Sequence, residues 1–174
     1  MKPSAQPISA RRREKSGGNV ILESAFTFIP MLAVILFFAD LGMMLFRWST
    51  LQNAVREGCR YAVTFQTQSG AGQDSSVQQV VQKYSFGLVK TSDSPNRIHV
   101  DYYSPSNPNT AIVTGGNIPG NVVEVSVQGV SLAWMMPLSG TLASPLYATL
   151  PLTLNVRSSD ILGGYPAGVS SIAR

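Results

Sequence analysis

The sequence predicts an α+β protein: one long N-terminal helix, a short second helix, and a small antiparallel sheet of three or four strands packed on both. Three observations predict it. Residues 24–46 form an apolar run whose one formal charge is Asp40; as a helix it would be roughly 34 Å long, enough to cross a hydrocarbon core of about 30 Å. The apolar pattern then continues past the run at helical spacing. From residue 98 it changes to strict alternation, the period of half-buried strands.

Composition agrees with a chain divided between lipid and water. Charged residues make up only 13% and apolar residues 44%, whereas about 25% charged is usual for soluble domains. The net charge of +4 comes largely from the first fifteen residues, where Lys2, Arg11, Arg12, Arg13 and Lys15 face one acid, Glu14. Basic residues directly before an apolar span hold that end in the cytoplasm; this reading is preferred to nucleic-acid binding. Arg47, Arg56 and Arg60 follow the span and weaken the asymmetry without reversing it. The expected topology is a single pass with a cytoplasmic N-terminus and an exported C-terminal domain. Cys59 is the single cysteine, so no intramolecular disulfide can form. It reads as a small packed apolar group, with an intermolecular disulfide as the alternative.

Taken in order, residues 1–15 have no apolar periodicity and read as a disordered leader. The apolar run is too long for a secretory signal peptide, and no small-x-small site follows it. Gly17 and Gly18 are expected to break the helix at the cytoplasmic boundary and leave the backbone open to a protease. Glu23 sits at the edge of the run. Two readings stay open for it: an interfacial acid facing water, or an acid that meets a positive partner such as a neighbour's N-terminal amine. Pro30 forfeits one helix hydrogen bond, which membrane helices tolerate. Asp40 is expected either to snorkel at the outer interface or to pair with a cation from another helix.

Beyond the run, Trp48, Leu51, Val55, Gly58, Ala62 and Phe65 recur at spacings of three and four. One helix is therefore expected over 20–66, half in lipid and half outside, its protruding stripe packing on this chain's own domain, with helix–helix assembly as the alternative. Residues 67–76 read as a polar loop with Asp74 as N-cap of a second helix reaching about residue 89. Ile98, Val100 and Tyr102 mark a strand, 104–109 a loop, 111–114 a further short strand and 115–121 a turn-rich break. Val123, Val125 and Val127 mark another strand. The proline-broken stretch 129–145, with Trp134, Met135, Met136, Pro137 and Pro145, is a covering loop or short helix. Leu150, Leu152, Leu154 and Val156 mark the last strand, with Pro151 suggesting an edge position or a start. Residues 158–174 are expected to be loosely ordered.

No catalytic constellation, metal site or cofactor site is read from the sequence. His99 is the single histidine, with Asp101 on the same strand face, and such a pair is more often a surface feature than a dyad. No second histidine or cysteine exists to build a zinc site. Neither Gly115–Gly116 nor Gly163–Gly164 is followed by the Lys-Ser/Thr of a phosphate loop.

Two parts of the sequence carry a family resemblance. One is the basic leader, the glycine, the glutamate five residues on and the apolar helix with a proline. The other is Leu51, Gln52, Asn53, Ala54, Val55, Arg56, Glu57, Gly58, Cys59, Arg60, Tyr61 and Ala62. Together they cover about fifty residues, and this region resembles the TadE-like pseudopilins, minor pilin-like proteins of tight-adherence (Tad/Flp) secretion systems. The resemblance implies a non-enzymatic protein of the bacterial inner membrane, with its domain in the periplasm. It implies cleavage by a prepilin peptidase between Gly18 and Asn19, removing leader 1–18 and leaving Glu23 as the fifth residue. The mature protein would comprise helix 19–66 and domain 67–174. Its implied partners are the peptidase, other pilin-like subunits, the pilus assembly platform and lipid; its implied task is to assist assembly of a Flp-type pilus, with incorporation into the filament left open. The alternative is a permanently anchored periplasmic module binding through Tyr102, Tyr103 and Trp134. A tethered enzyme is the weakest reading.

Overall fold

The structure, a computed structural model, describes residues 17–131 and 153–174. Helix α1 (Gly17–Val63) is unbroken over 47 residues and accommodates Pro30. Helix α2 (Gln73–Tyr84) follows. Strands β1 (Ile98–Ser104), β2 (Asn107–Ala111), β3 (Val122–Ser131) and β4 (Thr153–Ile161) form one antiparallel sheet in the order β2-β1-β3-β4. The α+β class and the antiparallel sheet on two helices are as expected.

The core lies between the sheet and the second half of α1, with α2 closing one side. Leu51, Val55, Ala62 and Phe65 of the expected stripe are buried, joined by Ala54 and Cys59, so the face is wider than a two-position seam. Against it pack Val77 and Val81 of α2, and the inward-facing Ile98, Val100, Tyr102, Val123, Val125, Val127, Leu154 and Val156 of the sheet. Gly58 is where α1 crosses α2: a Cβ there would stand 2.5 Å from Val81 Cγ2, so only glycine allows the approach.

Several boundaries differ from the expectations, each for a local reason. Gly17 and Gly18 form the start of α1 and do not interrupt it. Helix α2 ends at Tyr84, not near residue 89, because Phe86 and Gly87 take positive φ (51° and 83°); Ser85 Oγ donates to the Gln82 carbonyl there. Its N-cap is Gly72, with no side-chain cap, because the Asp74 carboxylate is engaged elsewhere. Strand β2 begins at Asn107, inside the expected loop, and ends where the expected strand began. A two-residue turn at Pro105 and Ser106 and a bulge after Tyr103 make the hairpin that early. All five β2 residues are exposed, so they carry no alternation to read. Strand β3 runs on to Ser131 through a bulge at Gly129 (φ 70°), whose N–H donates to Asn155 Oδ1.

The segment after β4 is not loose. Leu162 is buried, and its N–H donates to the Asn121 carbonyl at 2.8 Å. Tyr165 packs on Phe65 with ring centroids 4.7 Å apart, and Arg174 is held by side-chain contacts. Among the described residues β4 lies at an edge of the sheet; Pro151, Trp134, Met135, Met136, Pro137 and Pro145 lie outside the described residues, as do residues 1–16 of the leader.

Candidate assembly site

The candidate site is α1 itself, and its two halves differ. In the apolar half the side chains stand open: Phe26 is 78% exposed and Phe38 63%. This helix is long and apolar enough to cross a membrane, and among the described residues none of its apolar window is buried. Gly18 lies at its start with open space around its Cα, and Asn19 is the next residue of the helix. Glu23 is exposed one turn further on. Ser24 Oγ donates to the Val20 carbonyl at 2.8 Å and Thr27 Oγ1 to the Glu23 carbonyl at 3.1 Å, so both hydroxyls are satisfied within the helix. Asp40 is 6% exposed, an acid covered by the fold within a half that is otherwise open. It lies on a line of reduced exposure through Ala33, Leu36, Met44 and Arg47 that leads into buried Leu51.

In the packed half, the residues of the motif divide by role. Leu51, Ala54, Val55, Gly58 and Cys59 are core. Gln52 is half-buried and its Nε2 donates to the Arg157 carbonyl of β4 at 3.3 Å, tying the helix to an edge strand. Asn53 and Arg56 are exposed. Glu57 and Arg60 form an ion pair at 3.4 Å across one turn, and Tyr61 is half-buried beside them. Burial pushes the Cys59 thiol up to about 11, with the nearby Asp160 charge adding to the effect and a hydrogen bond to Ser158 opposing it. A buried, neutral thiol is a packing group, and a disulfide to another chain would need the core to open.

Two polar clusters that the sequence did not announce hold the packed half in place. Gln73, fully buried at the start of α2, donates through Nε2 to the Ala62 carbonyl at 2.9 Å, satisfying one of the last carbonyls of α1. Its Oε1 accepts from Asn117 Nδ2 at 3.0 Å, and Asn117 Nδ2 also reaches the Ile172 carbonyl. In the second cluster Asp74 accepts from Tyr102 Oη at 2.8 Å and from Arg174 Nε at 2.7 Å. The Arg174 guanidinium lies over the Tyr102 ring, 4.8 Å from its centroid, and donates to the carbonyls of Val100, Ile112 and Val113. Burial first, then the hydrogen bond and charge of Asp74, push the Tyr102 phenol well above its ordinary value. Tyr102 is thus a core residue and unavailable as the binding aromatic of the alternative reading. Arg174 and Asp74 are a hundred positions apart, and neither carries a local signal for the other.

His99 and Asp101 face outward on β1, where the register sets them opposite Ser126 and Glu124 of β3. Among the described residues no group of three or more His, Cys, Asp or Glu could hold a metal ion.

In this arrangement one N-terminal helix begins as an apolar rod and ends as the spine of an α+β head. The family model for TadE-like protein matches residues 18–60, all of them within α1. The resemblance drawn from Glu23 and from the motif at 51–62 is borne out over that span. No curated protein and no solved structure matches the chain.

Proposed function

We propose that the chain is a TadE-like pseudopilin that assists assembly of a Flp-type pilus in a tight-adherence secretion system. The observation that carries the reading is the coincidence of the TadE-like match with a single continuous helix that is bare in one half and packed in the other. On this reading α1 stands in the inner membrane with its N-terminus in the cytoplasm and its head in the periplasm. A prepilin peptidase cuts between Gly18 and Asn19; the open space at Gly18 suits a protease that grips bare backbone. Glu23 then follows four residues behind a free amine. A carboxylate in the bilayer centre costs about 2.5–3.5 kcal/mol on insertion scales, and less near the boundary where Glu23 sits. An apolar anchor gains nothing from it, whereas a bundle in which a neighbour's amine meets Glu23 does. The bare face of α1 is the surface through which other pilin-like subunits and the assembly platform would take the helix out of lipid.

Intact mass of the protein recovered from native membranes tests the cut: a chain starting at Asn19 is expected, and one starting at Met1 overturns the pilus reading and leaves a membrane tether. Gly18→Ala is expected to slow cleavage. Glu23→Ala is expected to leave cleavage intact and reduce piliation; normal piliation would remove Glu23 from assembly.

A further inference from the structure

Packing explains the apolar members of the 51–62 motif and part of Tyr61, which rests against the core, but not Glu57 and Arg60, which pair beside it at the helix surface. They line a groove of about 440 Å³ between α1 and α2, completed by residues including Val80, Lys83 and Tyr84. Arg60 is 76% exposed and Lys83 is exposed, so the groove presents two cations and one acid among largely polar walls, with Thr64, Gln66, Gln68 and Gln79 beside Val80 and two tyrosines. Among the described residues no strand residue lines it, so it opens on the helical side of the head.

The outward face of the sheet carries the reverse pattern. Asp101 and Glu124 stand directly opposite one another on β1 and β3, and Arg157 of β4 lies in the next row opposite Ser126. The closeness of these charges is visible at Tyr103: partial burial, then the charges of Glu124 and Asp101, raise its phenol, and Arg157 opposes them. Like charges directly opposite on neighbouring strands destabilise a sheet, so the fold alone does not favour this arrangement. A neighbour bringing cations to it would.

We propose that the helical groove of one copy receives the outward sheet face of a second copy, with Arg60 and Lys83 meeting Asp101 and Glu124, and Glu57 meeting Arg157. The charge order selects the second copy as occupant: groove against groove, or sheet against sheet, would set like charges together, while groove against sheet matches all three. The contact is heterologous, and such contacts propagate into rings or helical rows. It deepens the pseudopilin reading and rests on it in one respect, that copies stand side by side in one bilayer.

The test uses full-length chains in membranes. One tagged copy carries Lys83→Cys and a differently tagged copy carries Asp101→Cys, under mild oxidation; Cys59 is too buried to compete. The expected result is a mixed disulfide product well above either like-with-like product. Arg60→Glu in the first copy should lower it roughly tenfold, the scale of a close interfacial charge pair, and Glu124→Lys in the second should restore it. Absence of the mixed product, or indifference to Arg60→Glu, overturns the contact. A parallel pair of Phe38→Cys copies separates the two ideas: cross-links in α1 without the mixed product in the head sink this contact and leave the assembly reading standing. The mixed product on chains that still begin at Met1 supports the contact and removes the processing.

Discussion

Leu45 and Leu51 lie six residues apart on one helix, yet the first is 57% exposed and the second fully buried. Gly42 and Gly58 make the same contrast: a Cβ on Gly42 meets nothing within 4 Å, and one on Gly58 meets Val81. The residue types alone do not distinguish these pairs. What differs is the neighbour each meets, folded core in one half and open surroundings in the other. A hydrophobic helix therefore has two separable requirements along its length: apolarity throughout, and shape only where the head packs on it.

Substitution can break this contrast. Leu51→Ala removes a fully buried side chain and is expected to destabilise the head by about 2–5 kcal/mol, while Leu45→Ala leaves its unfolding unchanged; denaturant unfolding of the full chain in micelles checks both. Equal effects would show that α1 is not divided. Gly58→Ala should cost about 1–3 kcal/mol through crowding at Val81. Gly42→Ala should be neutral or favourable, since glycine within a helix is worse than alanine by about 1 kcal/mol.

The outer fastening of the packed half responds less. Tyr102→Phe removes the hydroxyl bonded to Asp74 and should cost about 1 kcal/mol. It also probes pH. Cys59 is raised from 9.0 to about 11, and Tyr102 is raised above its ordinary 10.0, so both bind protons more tightly folded than unfolded. Their contributions are complete below the unfolded values and are lost as pH rises towards the folded ones. The melting temperature should hold steady up to about pH 8.5 and then fall; Tyr102→Phe should flatten the part of the fall above pH 10. The smallest effect expected is no effect at all: a thiol reagent at pH 8 should not label Cys59 in the folded protein, whereas it should label Cys introduced at Lys83.

Much of this was legible in the sequence because period and length are local properties. The apolar run, the stripe from Leu51 to Phe65 and the alternation at Ile98, Val100 and Tyr102 each declare their element within a few residues. Strand β2 was misplaced because Asn107, Pro108, Asn109, Thr110 and Ala111 are all exposed and have no inward face to mark. The order of the last segment was missed for another reason. Glycines at 163, 164 and 168 suggest looseness, and nothing nearby reveals that Arg174 reaches Asp74 or that Gln73 reaches Asn117. Glu23 and the glycines before it stand out in an apolar context; their proposed roles depend on molecules other than this chain.

Because α1 passes without interruption from its bare half into the head, it behaves as a torsion rod. Each residue added between Phe46 and Leu51 would swing the head by about 100° around the helix axis and lift it by about 1.5 Å. The compass bearing of the head is therefore set by whatever grips the bare half, and the length of the rod directs the head as much as any side chain on its surface does.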